Sequence, residues 1–484
     1  MKLSKFRLLE ISFLISIFLL GFVVRMYKFN NPVADWHSWR QADTAAMTRN
    51  FVKEGFTPLL PRFDAYNSLN EFNLPNPNRY FLAEFPIYNI MNYFSYMWFG
   101  HFTIEQWGRL ISIFFASLTS ICLYFLVKQY SSRRVALLAA FFFAFLPYNI
   151  YYGRVIMPDP LHIFFSVAAL LVLTLWLRKN NILLAALAGI LYTGALLTKP
   201  YALVLLLPIT YLIFRKFGFS FFKKISIYLF ALISFAPLAW WRWHLGQYPE
   251  GQFGTTWLFN QGNIRFTGAF FRWLIYDRMN RLIFATGGFV LFWIGIIRGR
   301  LKEEGLFYYL WFAAILAFFT IIAKGNVTHD YYQMPIVPIG CIFVAKGVDF
   351  LLSFGEGFLQ RGINVLIALA LVLIMFAFGW YEVRGYFNIN HPEIVAAGRE
   401  VDKILPQNAI VIAPYQNDSA FLYQTNRHGY TSDDKIPQYI KEGATNLVSV
   451  NYDDTTNYWM VRCKIVEKQK DFVILDLTAC KQKP

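Results

Sequence analysis

The chain has 484 residues, of which 57% are hydrophobic, 19% are aromatic and only 15% are charged. This composition is too apolar for a soluble globular protein of its length and predicts a protein that crosses a membrane many times. The formal net charge of +16 does not require nucleic acid as a partner, because basic loops are attracted to anionic lipid headgroups.

Apolar runs recur along the first four fifths of the chain. A helix needs about 20 residues to cross a hydrocarbon core about 30 Å thick. The first run lacks a clear small-x-small cleavage site, so we expect it to remain as an anchor and not to be removed as a signal peptide. We place eleven spans at residues 8–27, 107–127, 135–152, 160–177, 182–198, 200–214, 225–243, 281–297, 306–323, 333–352 and 363–381.

Basic residues are concentrated in alternate loops between these spans. The positive-inside bias therefore predicts a cytoplasmic N-terminus in a plasma or inner membrane. The opposite set of short loops holds only Arg154, Lys199 and Lys324. The residues predicted to be cytoplasmic are Lys2, Lys5, Arg7, Lys128, Arg133, Arg134, Arg178, Lys179, Arg215, Lys216, Lys223, Lys224, Arg298, Arg300, Lys302 and Arg361.

A long exterior loop is predicted at residues 28–85. It begins with a helix over 36–54 that Gly55 closes and continues as an irregular Asn/Pro-rich stretch from Asn67 to Arg79. The apolar segment 85–99 is too short to span, so we expect an interfacial helix. The fold class is a polytopic α-helical membrane protein, with residues 1–384 as its transmembrane domain.

Residues 385–484 change character and predict a small soluble α/β domain on the exterior face. Short apolar runs at 409–413, 447–451, 459–466 and 472–477 are typical of strands, and 392–405 and 434–442 are typical of helices. Cys463 and Cys480 both lie in this domain. A hairpin around 467–471 sets Cys463 opposite Leu475, about 16 Å from Cys480 by strand rise, so we expect two free thiols. Cys122 and Cys341 lie within spans as small core residues.

The first polar cluster comes directly after the first span, at Asp35, His37, Arg40, Gln41 and Asp43. On a helix, residues 37, 40, 41 and 44 share one face, which gives a strip of imidazole, guanidinium and amide beside a carboxylate. The alternative is that Asp35 only caps the helix and that Asp43 is a solvated surface residue. Capping does not explain three polar groups on one face so close to lipid.

Three further clusters lie in exterior turns. Arg154 and Asp159 lie in a very short turn in which Pro158 and Pro160 flank Asp159, and Asp159 has the alternative role of capping the next span. Lys199 stands alone at a lipid boundary, where snorkelling is the alternative. His329, Asp330 and Tyr331 form the last cluster, although tyrosines also belong to aromatic belts. The sequence contains no CxxC, HExxH or P-loop motif, and its seven histidines lack metal-ligand spacing.

The order of these motifs resembles the bacterial membrane glycosyltransferases related to protein O-mannosyltransferases and to the lipid A aminoarabinose transferase. The resemblance rests on Glu84-Phe-Pro86-Ile-Tyr88, Gly108-Arg109-Leu110, Arg154 to Asp159, Thr198-Lys199-Pro200 and His329 to Pro335. The stretch from His37 to Ala45 looks like a recurring form of the first exterior loop of these enzymes. Each motif is weak alone, but their order over about 340 residues makes the match specific.

The resemblance implies a GT-C fold and transfer of a sugar from a polyprenyl-phosphate carrier to an acceptor hydroxyl on the exterior face, with inversion. Many relatives carry adjacent Asp-Glu where this chain has Arg40-Gln41, which leaves the base open between Asp35 and Asp43. We favour Asp35 because it lies closer to the end of the first span. Asp159 is the third carboxylate considered for catalysis, and Glu84 stands where many relatives have Lys.

Deprotonation of a hydroxyl needs a carboxylate, and departure of a lipid phosphate needs fixed positive charge. Basic side chains suffice for a monophosphate donor, so we expect no required metal and no other cofactor. The expected partners are the lipid-linked donor, a glycan, lipid or protein acceptor, and the bilayer. The residues expected to bind donor phosphate or substrate are His37, Arg40, Gln41, Glu84, Arg109, Arg154, Lys199, His329, Asp330 and Tyr331.

Two other classes of function remain open. A transporter or flippase of a lipid-linked substrate has a similar number of spans, but its coupling charges lie near the bilayer midplane, where these spans are almost free of charge. A noncatalytic membrane protein that presents the C-terminal domain needs no polar rim.

Overall fold

The structure is a computed structural model that describes residues 5–66 and 70–480, with side chains from Leu8 onward. Lys2, the side chains of Lys5 and Arg7, and Asn67 lie outside this description. The helices are α1 (Lys5–Arg25), α2 (Ser38–Glu54), α3 (Ile87–Phe99), α4 (Ile104–Val127), α5 (Arg133–Phe145), α6 (Pro147–Tyr152), α7 (Asp159–Lys179), α8 (Ile182–Thr198), α9 (Leu206–Phe217), α10 (Ile225–Leu245), α11 (Trp257–Asn260), α12 (Gly268–Phe271), α13 (Gly287–Ile297), α14 (Phe307–Ile321), α15 (Ala323–Thr328), α16 (Ile336–Ser353), α17 (Gly357–Val383), α18 (Pro392–Ile404), α19 (Ser419–Gln424), α20 (Ile436–Lys441) and α21 (Asp454–Arg462). The strands are β1 (Ile410–Ile412), β2 (His428–Tyr430), β3 (Asn446–Ser449), β4 (Lys464–Lys468) and β5 (Val473–Asp476).

The chain divides into two compact units. The helical unit consists of Met1–Tyr27, Arg109–His244 and Thr255–Gly385. The sheet unit consists of Lys28–Gly108, Leu245–Gly254 and Tyr386–Pro484. The first long loop and the C-terminal segment therefore share one unit, although more than 270 residues of sequence separate them.

Each of the eleven apolar runs overlaps a helix in the helical unit. By length and composition, seven helices within the described residues can cross a membrane, or eight if the pair Gly268–Ile283 and Gly287–Ile297, bent by 112°, is one span. Ile182–Thr198 and Phe307–Ile321 are shorter apolar helices. The protein is therefore a multi-pass membrane protein, and eleven spans remains a prediction. The seven are Leu8–Arg25, Ile104–Val127, Asp159–Lys179, Pro200–Lys223, Ile225–Leu245, Ile336–Ser353 and Gly357–Ile404.

Local sequence explains where several of these helices begin and end. Ser132 caps α5 by accepting a hydrogen bond from the Val135 amide, and Asn181 caps α8 by accepting one from the Leu183 amide. Asn180 ends α7 in the left-handed conformation, with φ of 52°. The turn between α7 and α8 is short because one asparagine ends the first helix and the next asparagine starts the second.

Glycine permits a close crossing of α13 and α16 in the helical unit. A Cβ on Gly295 of α13 would lie 1.8 Å from the Phe343 carbonyl oxygen, and one on Gly347 of α16 would lie 2.0 Å from the Leu291 carbonyl oxygen. The two helices therefore touch backbone to backbone, as small residues allow in membrane proteins.

Buried charges in the helical unit are paired near α16. Lys346 Nζ lies 2.7 Å from a carboxylate oxygen of Glu304, and both side chains are buried. Asp349 pairs with Arg134 and Arg298, each at 2.5 Å. Charges in closed pairs suit a structural role, because each partner offsets the cost of burying the other.

The sheet unit contains a five-stranded sheet with the order β2-β1-β3-β5-β4. Strands β1, β2 and β3 are parallel, and β5 runs antiparallel to both β3 and β4. One face buries Ile412, Leu447, Val473 and Leu475 in a core with the Tyr430 and Tyr439 side chains. The prediction of a small α/β fold in the C-terminal segment is confirmed.

The first long loop extends this sheet at its β2 edge. Ala65 pairs in parallel with Gly429, because the Tyr66 amide donates to the Gly429 carbonyl at 2.9 Å and the Gly429 amide donates to the Asp64 carbonyl at 3.1 Å. Helix α2 belongs to the same unit, and Ser419 of α19 donates its hydroxyl to the Trp39 carbonyl at 3.2 Å. The helix predicted over 36–54 is confirmed within two residues, and Gly55 ends it with φ of 104°.

Two details of the C-terminal segment differ from the sequence prediction. The strand predicted at 459–466 is wrong in its first half, because Asp453 caps α21 there by accepting from the Thr456 amide at 2.8 Å. Cys463 and Cys480 form a disulfide with their Cα atoms 3.9 Å apart, so the prediction of two free thiols is wrong. A register shift between Ile465 and Glu467 and a 3₁₀ turn over Leu477–Ala479 bring Cys480 back beside Cys463, which a straight strand would not do.

Candidate active site

Asp35 lies at the entrance to α2 and is 3% exposed. Its Oδ1 accepts a hydrogen bond from Gln41 Nε2 at 2.6 Å, and Gln41 also donates to the Trp36 carbonyl at 3.1 Å. The N-cap residue of α2 is His37, with φ of 56° and no capping bond from its side chain. The alternative that Asp35 is the helix cap is therefore wrong. Its carboxylate is instead held by an amide one turn into the helix.

Asp43 is the sixth residue of α2 and is also buried, so the alternative of a solvated surface residue is wrong. Burial raises the pKa of Asp43 to about 7, with Asp418 and Asp64 adding to the rise. A hydrogen bond with Ser419 and the charge of Arg40 act in the opposite direction. Asp43 is thus a carboxyl group poised to change its charge near neutral pH.

Arg40 forms an ion pair with Glu84, and its guanidinium lies 5.6 Å from the centre of the Phe81 ring. The predicted polar strip of α2 therefore exists, with Arg40 and Gln41 each bonded to a carboxylate. Thr44, on the same face, donates its hydroxyl to the Arg40 carbonyl at 2.8 Å.

A cavity of about 270 Å³ opens beside Asp35 within the sheet unit. The wall across from the α2 entrance comes from the C-terminal segment, which contributes His391, Tyr415 and Asp418. Asp418 caps α19 by accepting from the Ala420 amide at 2.7 Å. Burial raises the pKa of Asp418 to about 6, although that amide and the charges of His37 and His391 act in the opposite direction. The cavity thus collects two carboxyl groups and two imidazoles.

No sequence motif indicated the C-terminal half of this cavity. His391, Tyr415 and Asp418 lie more than 350 residues after Asp35 and belong to no recognisable motif. The one local pattern that could have indicated these residues is Asp418, a residue type that often caps helices. The helix that follows it has only six residues, which is too short to be recognised by its periodicity.

The helical unit brings together two clusters that are 40 residues apart in sequence. Lys199 Nζ lies 3.8 Å from Asp159 Oδ2, and the Tyr201 hydroxyl donates to Asp159 Oδ1 at 3.3 Å. The N-cap residue of α7 is Pro158, and Asp159 is the first residue of the helix, so the capping alternative for Asp159 is also wrong. Lys199 is 9% exposed, which is more burial than a snorkelling side chain has.

Aromatic rings connect this pair to the last predicted cluster. The Tyr201 ring lies 6.4 Å from that of Tyr332, which stacks on His329 at 5.9 Å. His329 also stacks on Tyr331 at 5.4 Å and meets Trp257 edge-on. Lys199, Asp159 and His329 therefore belong to one continuous polar and aromatic rim of the helical unit.

Asp330 is buried and anchored. Its carboxylate accepts a hydrogen bond from the Tyr152 hydroxyl, its backbone carbonyl accepts one from the Tyr148 hydroxyl at 2.6 Å, and Arg278 lies 3.9 Å away. This arrangement fixes the backbone that carries His329 and Tyr331. Sequence reasoning did not identify Arg278 or the two tyrosines, because they come from the π-helix Arg272–Ile283 and from α6.

Arg109 and Arg154 are fully buried guanidinium groups, 1% and 0% exposed. Arg154 lies 5.9 Å from the centre of the Tyr151 ring. Two buried positive charges in the unit that carries Lys199 suit the binding of an anion. Among the described residues, no three His, Cys, Asp or Glu side chains are placed to hold a metal ion.

Comparison with known proteins defines the fold. The structure superposes on that of ArnT from Cupriavidus metallidurans bound to undecaprenyl phosphate with a TM-score of 0.66, covering 98% of this chain and 99% of that one at 12% identity. The chain has the GT-C fold. The apo oligosaccharyltransferase of Archaeoglobus fulgidus has the same GT-C fold, with a TM-score of 0.60 over 90% of this chain and 69% of that one at 11% identity.

The AglB oligosaccharyltransferase of Archaeoglobus fulgidus, in complex with an inhibitory peptide and a dolichol-phosphate, gives a TM-score of 0.55 over 92% of this chain and 70% of that one, at 11% identity. Residues 86–243 match the family model of dolichyl-phosphate-mannose-protein mannosyltransferase. No curated protein sequence matches the chain. The GT-C fold predicted from the order of the motifs is confirmed.

Proposed function

We propose that the protein is a membrane glycosyltransferase that moves a sugar from a polyprenyl-phosphate carrier to an acceptor hydroxyl on the exterior face, with inversion. The observation that carries the proposal is the match over nearly the whole chain to the GT-C fold of ArnT, whose structure holds undecaprenyl phosphate. The buried cations and carboxylates of this chain supply the groups that such a transfer needs.

The helical unit supplies positive charge for the departing lipid phosphate. Lys199 has three N–H donors, and its Nζ is paired with Asp159 Oδ2 at 3.8 Å. Arg154 and Arg109 are planar donors that suit phosphate oxygens. In this proposal they neutralise the charge that develops on the carrier phosphate as the glycosidic bond breaks. His329 and Tyr331 line the same rim and contact the sugar.

The sheet unit supplies the base. A general base has to reach the hydroxyl that it deprotonates, and Asp35 lines an open cavity of about 270 Å³, which Asp43 does not line. Gln41 donates a hydrogen bond to Asp35 Oδ1 at 2.6 Å, which orients the carboxylate at this cavity. We therefore keep Asp35 as the proposed base. Asp43, with its pKa near 7, is the alternative, and Asp159 is the third candidate.

The direct test is an assay of the purified full-length protein with a panel of polyprenyl-phosphate monosaccharides, following release of the carrier phosphate. We expect one donor to be consumed without added metal. If no donor on the panel releases its carrier in the presence of cell-envelope extract as acceptor, the proposal fails.

Variants of the cationic rim test the phosphate assignment. Lys199→Gln and Arg154→Gln remove one donor each and should lower carrier release by about 10²–10³-fold without lowering protein abundance. Lys179→Gln is the matched control, because it removes an exposed lysine at the end of α7. Normal donor turnover by both rim variants would contradict the assignment.

A further inference from the structure

A second, larger cavity of about 820 Å³ lies in the sheet unit. It is an open groove, and its size lies within the range of ligand sites in proteins. Asn417 lines this groove, and the next residue, Asp418, lines the smaller cavity beside Asp35. Consecutive Cα atoms are about 3.8 Å apart, so the two spaces are separated by little more than one turn of the loop between β1 and α19.

Both walls of the groove are held in place by hydrogen bonds. The Tyr66 wall is fixed by the pairing of Ala65 with Gly429. Further along this wall, Asn76 donates to the Tyr80 carbonyl at 2.8 Å and accepts from the Tyr80 amide at 3.0 Å. The described residues of this wall are therefore held at both ends by hydrogen bonds.

The opposite wall presents tyrosines, carboxylates and amides. Tyr430 and Tyr439 stack with ring centres 3.9 Å apart. Their hydroxyls donate to Glu442 at 2.8 Å and to Asp434 at 3.2 Å, which fixes the two carboxylates at the groove. Gln438, which is exposed, donates its amide to Glu442 at 2.8 Å and adds a side-chain carbonyl oxygen beside these carboxylates.

This chemistry suits a ligand rich in hydroxyl groups. Amides donate and accept hydrogen bonds, carboxylates accept them, and a sugar hydroxyl does both. The half-exposed Tyr66 ring and the exposed rings of Pro75 and Pro77 offer apolar surface to the C–H faces of a sugar. We propose that this groove binds the acceptor, and that the acceptor is a neutral glycan chain whose reacting end enters the cavity beside Asp35.

The groove disfavours two other ligand classes. Its charged residues are Asp434, Glu442 and Lys435, an acidic excess that repels phosphates and anionic polymers. Peptides commonly bind by adding a strand to an exposed sheet edge, but the β2 edge that borders the groove is already paired with Ala65.

The identity of the glycan as acceptor rests on the proposed glycosyltransferase function, whereas binding to the groove does not. Binding is therefore measured first and without donor. The purified full-length protein is held in amphipol, because glycoside detergents would compete for the groove. It is titrated with neutral oligosaccharides of four to six glucose, mannose, galactose or N-acetylglucosamine units.

We expect at least one of these series to bind with a Kd near or below about 1 mM. The variant Asn417→Gly/Gln438→Ala should bind it about tenfold more weakly, because two hydrogen bonds are lost. Glycine is chosen because Asn417 has φ of 60°, which glycine adopts without cost. Gln469→Ala is the control, an exposed amide elsewhere on the same sheet that should bind normally.

Failure of every oligosaccharide to bind, or equal binding by the double variant, would overturn the proposal. Binding of unglycosylated peptides that the double variant abolishes would overturn it as well. In a second step, the bound oligosaccharide should stimulate carrier release from the donor. Binding without such stimulation, together with no transfer to any acceptor, would retain the glycan groove and overturn the glycosyltransferase assignment.

Discussion

Asp35 lies just before helix α2 and Asp43 lies in its second turn, and the two carboxyl groups have different surroundings. Asp35 accepts a hydrogen bond from Gln41 and faces a cavity. Asp43 is enclosed beside Ser419 and Asp418. Substituting each by asparagine keeps its size and an acceptor oxygen, so the pair of variants separates the loss of a base from the loss of a structural contact.

Asp35→Asn should retain thermal stability, because the Asn carbonyl can still accept from Gln41. It should lower sugar transfer by about 10²–10⁴-fold, as the loss of a general base does. The measurements are turnover and the unfolding temperature of the same preparation, with Asp43→Asn as the comparison. Near-normal transfer by Asp35→Asn, together with an inactive Asp43→Asn protein, would move the base to Asp43.

Asp43→Asn should also change stability in a pH-dependent way. The folded-state pKa of about 7 is above the ordinary value, so ionised Asp43 destabilises the fold. This cost is absent below the unfolded pKa near 4, grows between the two values and is complete above about pH 7. Asparagine removes it, and the gain should approach roughly 4 kcal/mol at pH 8 as an order of magnitude. Unfolding temperatures that differ from wild type equally at pH 4 and pH 8 would contradict this.

At the scale of elements, helix α2, the first loop and strand β2 meet at a group of charges. His428 Nε2 lies 2.9 Å from Glu54 and its Nδ1 lies 3.6 Å from Asp64. Burial alone would lower the pKa of His428, but the hydrogen bonds to Asp64 and Glu54 outweigh it and raise the pKa. Arg79, 3.0 Å from Nδ1, opposes this, but two carboxylates outweigh one guanidinium.

A raised histidine pKa stabilises the folded state below the unfolded pKa of about 6.5, and the stabilisation is lost as pH rises through the folded pKa. His428→Gln should therefore lower the unfolding temperature most at pH 6, and the difference from wild type should shrink at pH 9. The measurement is thermal unfolding of both proteins across this range. A deficit that grows with pH would show that His428 is neutral in the fold.

The disulfide joins the start of β4 to the turn after β5. It closes a loop with a sequence separation of 17 residues, for which chain entropy predicts a contribution of about 3 kcal/mol. Cys463→Ser or reduction should lower the stability of the sheet unit by about this amount, whereas Cys122→Ser should not. Thiol labelling followed by mass spectrometry gives an independent check. Labelling of both Cys463 and Cys480 in unreduced, denatured protein would contradict the bond.

Sequence periodicity predicted the elements whose signal is contained in one segment. The apolar runs became helices, and the helix over 36–54 was predicted with its glycine end. Helix α21 was missed because Tyr458, Trp459 and Val461 are typical of strands, and the cap at Asp453 was not considered. Strand β2, His428-Gly-Tyr430, was missed because it contains no apolar run, whereas β1 has the same length but consists of Ile, Val and Ile.

The candidate site was also predictable only in part, because only some of its residues lie together in one segment of the sequence. Helical spacing placed Arg40 and Gln41 on one face, and short exterior turns marked Asp159 and Lys199. Tyr415 and Asp418 could not be assigned to the Asp35 cavity, because contacts across more than 370 residues leave no local pattern. The disulfide was missed since strand rise does not account for a bulge and a 3₁₀ turn.

At the scale of the whole molecule, the orientation in the membrane is testable. In a protein without its native cysteines, we expect single cysteines at Phe72, Phe266 and Asn417 to react with an impermeant thiol reagent added outside intact cells. Cysteines at Arg133, Lys179 and Lys302 should react only after permeabilisation. All six side chains are exposed in the structure, so failure to react reports sidedness. Reaction of Asn417 and Arg133 from the same side would contradict the predicted topology.

The composition of the sheet unit has a consequence for biosynthesis. Most of α2 is buried, and Arg49 donates to the Tyr423 carbonyl across 374 residues of sequence. At about 5–20 residues per second, a ribosome needs roughly 20–75 s to make the intervening chain. During that time α2 has left the ribosome without the surface that covers it. A nascent chain arrested before residue 419 should therefore expose α2 to protease, and the sheet unit becomes complete only when the last fifth of the chain has been translated.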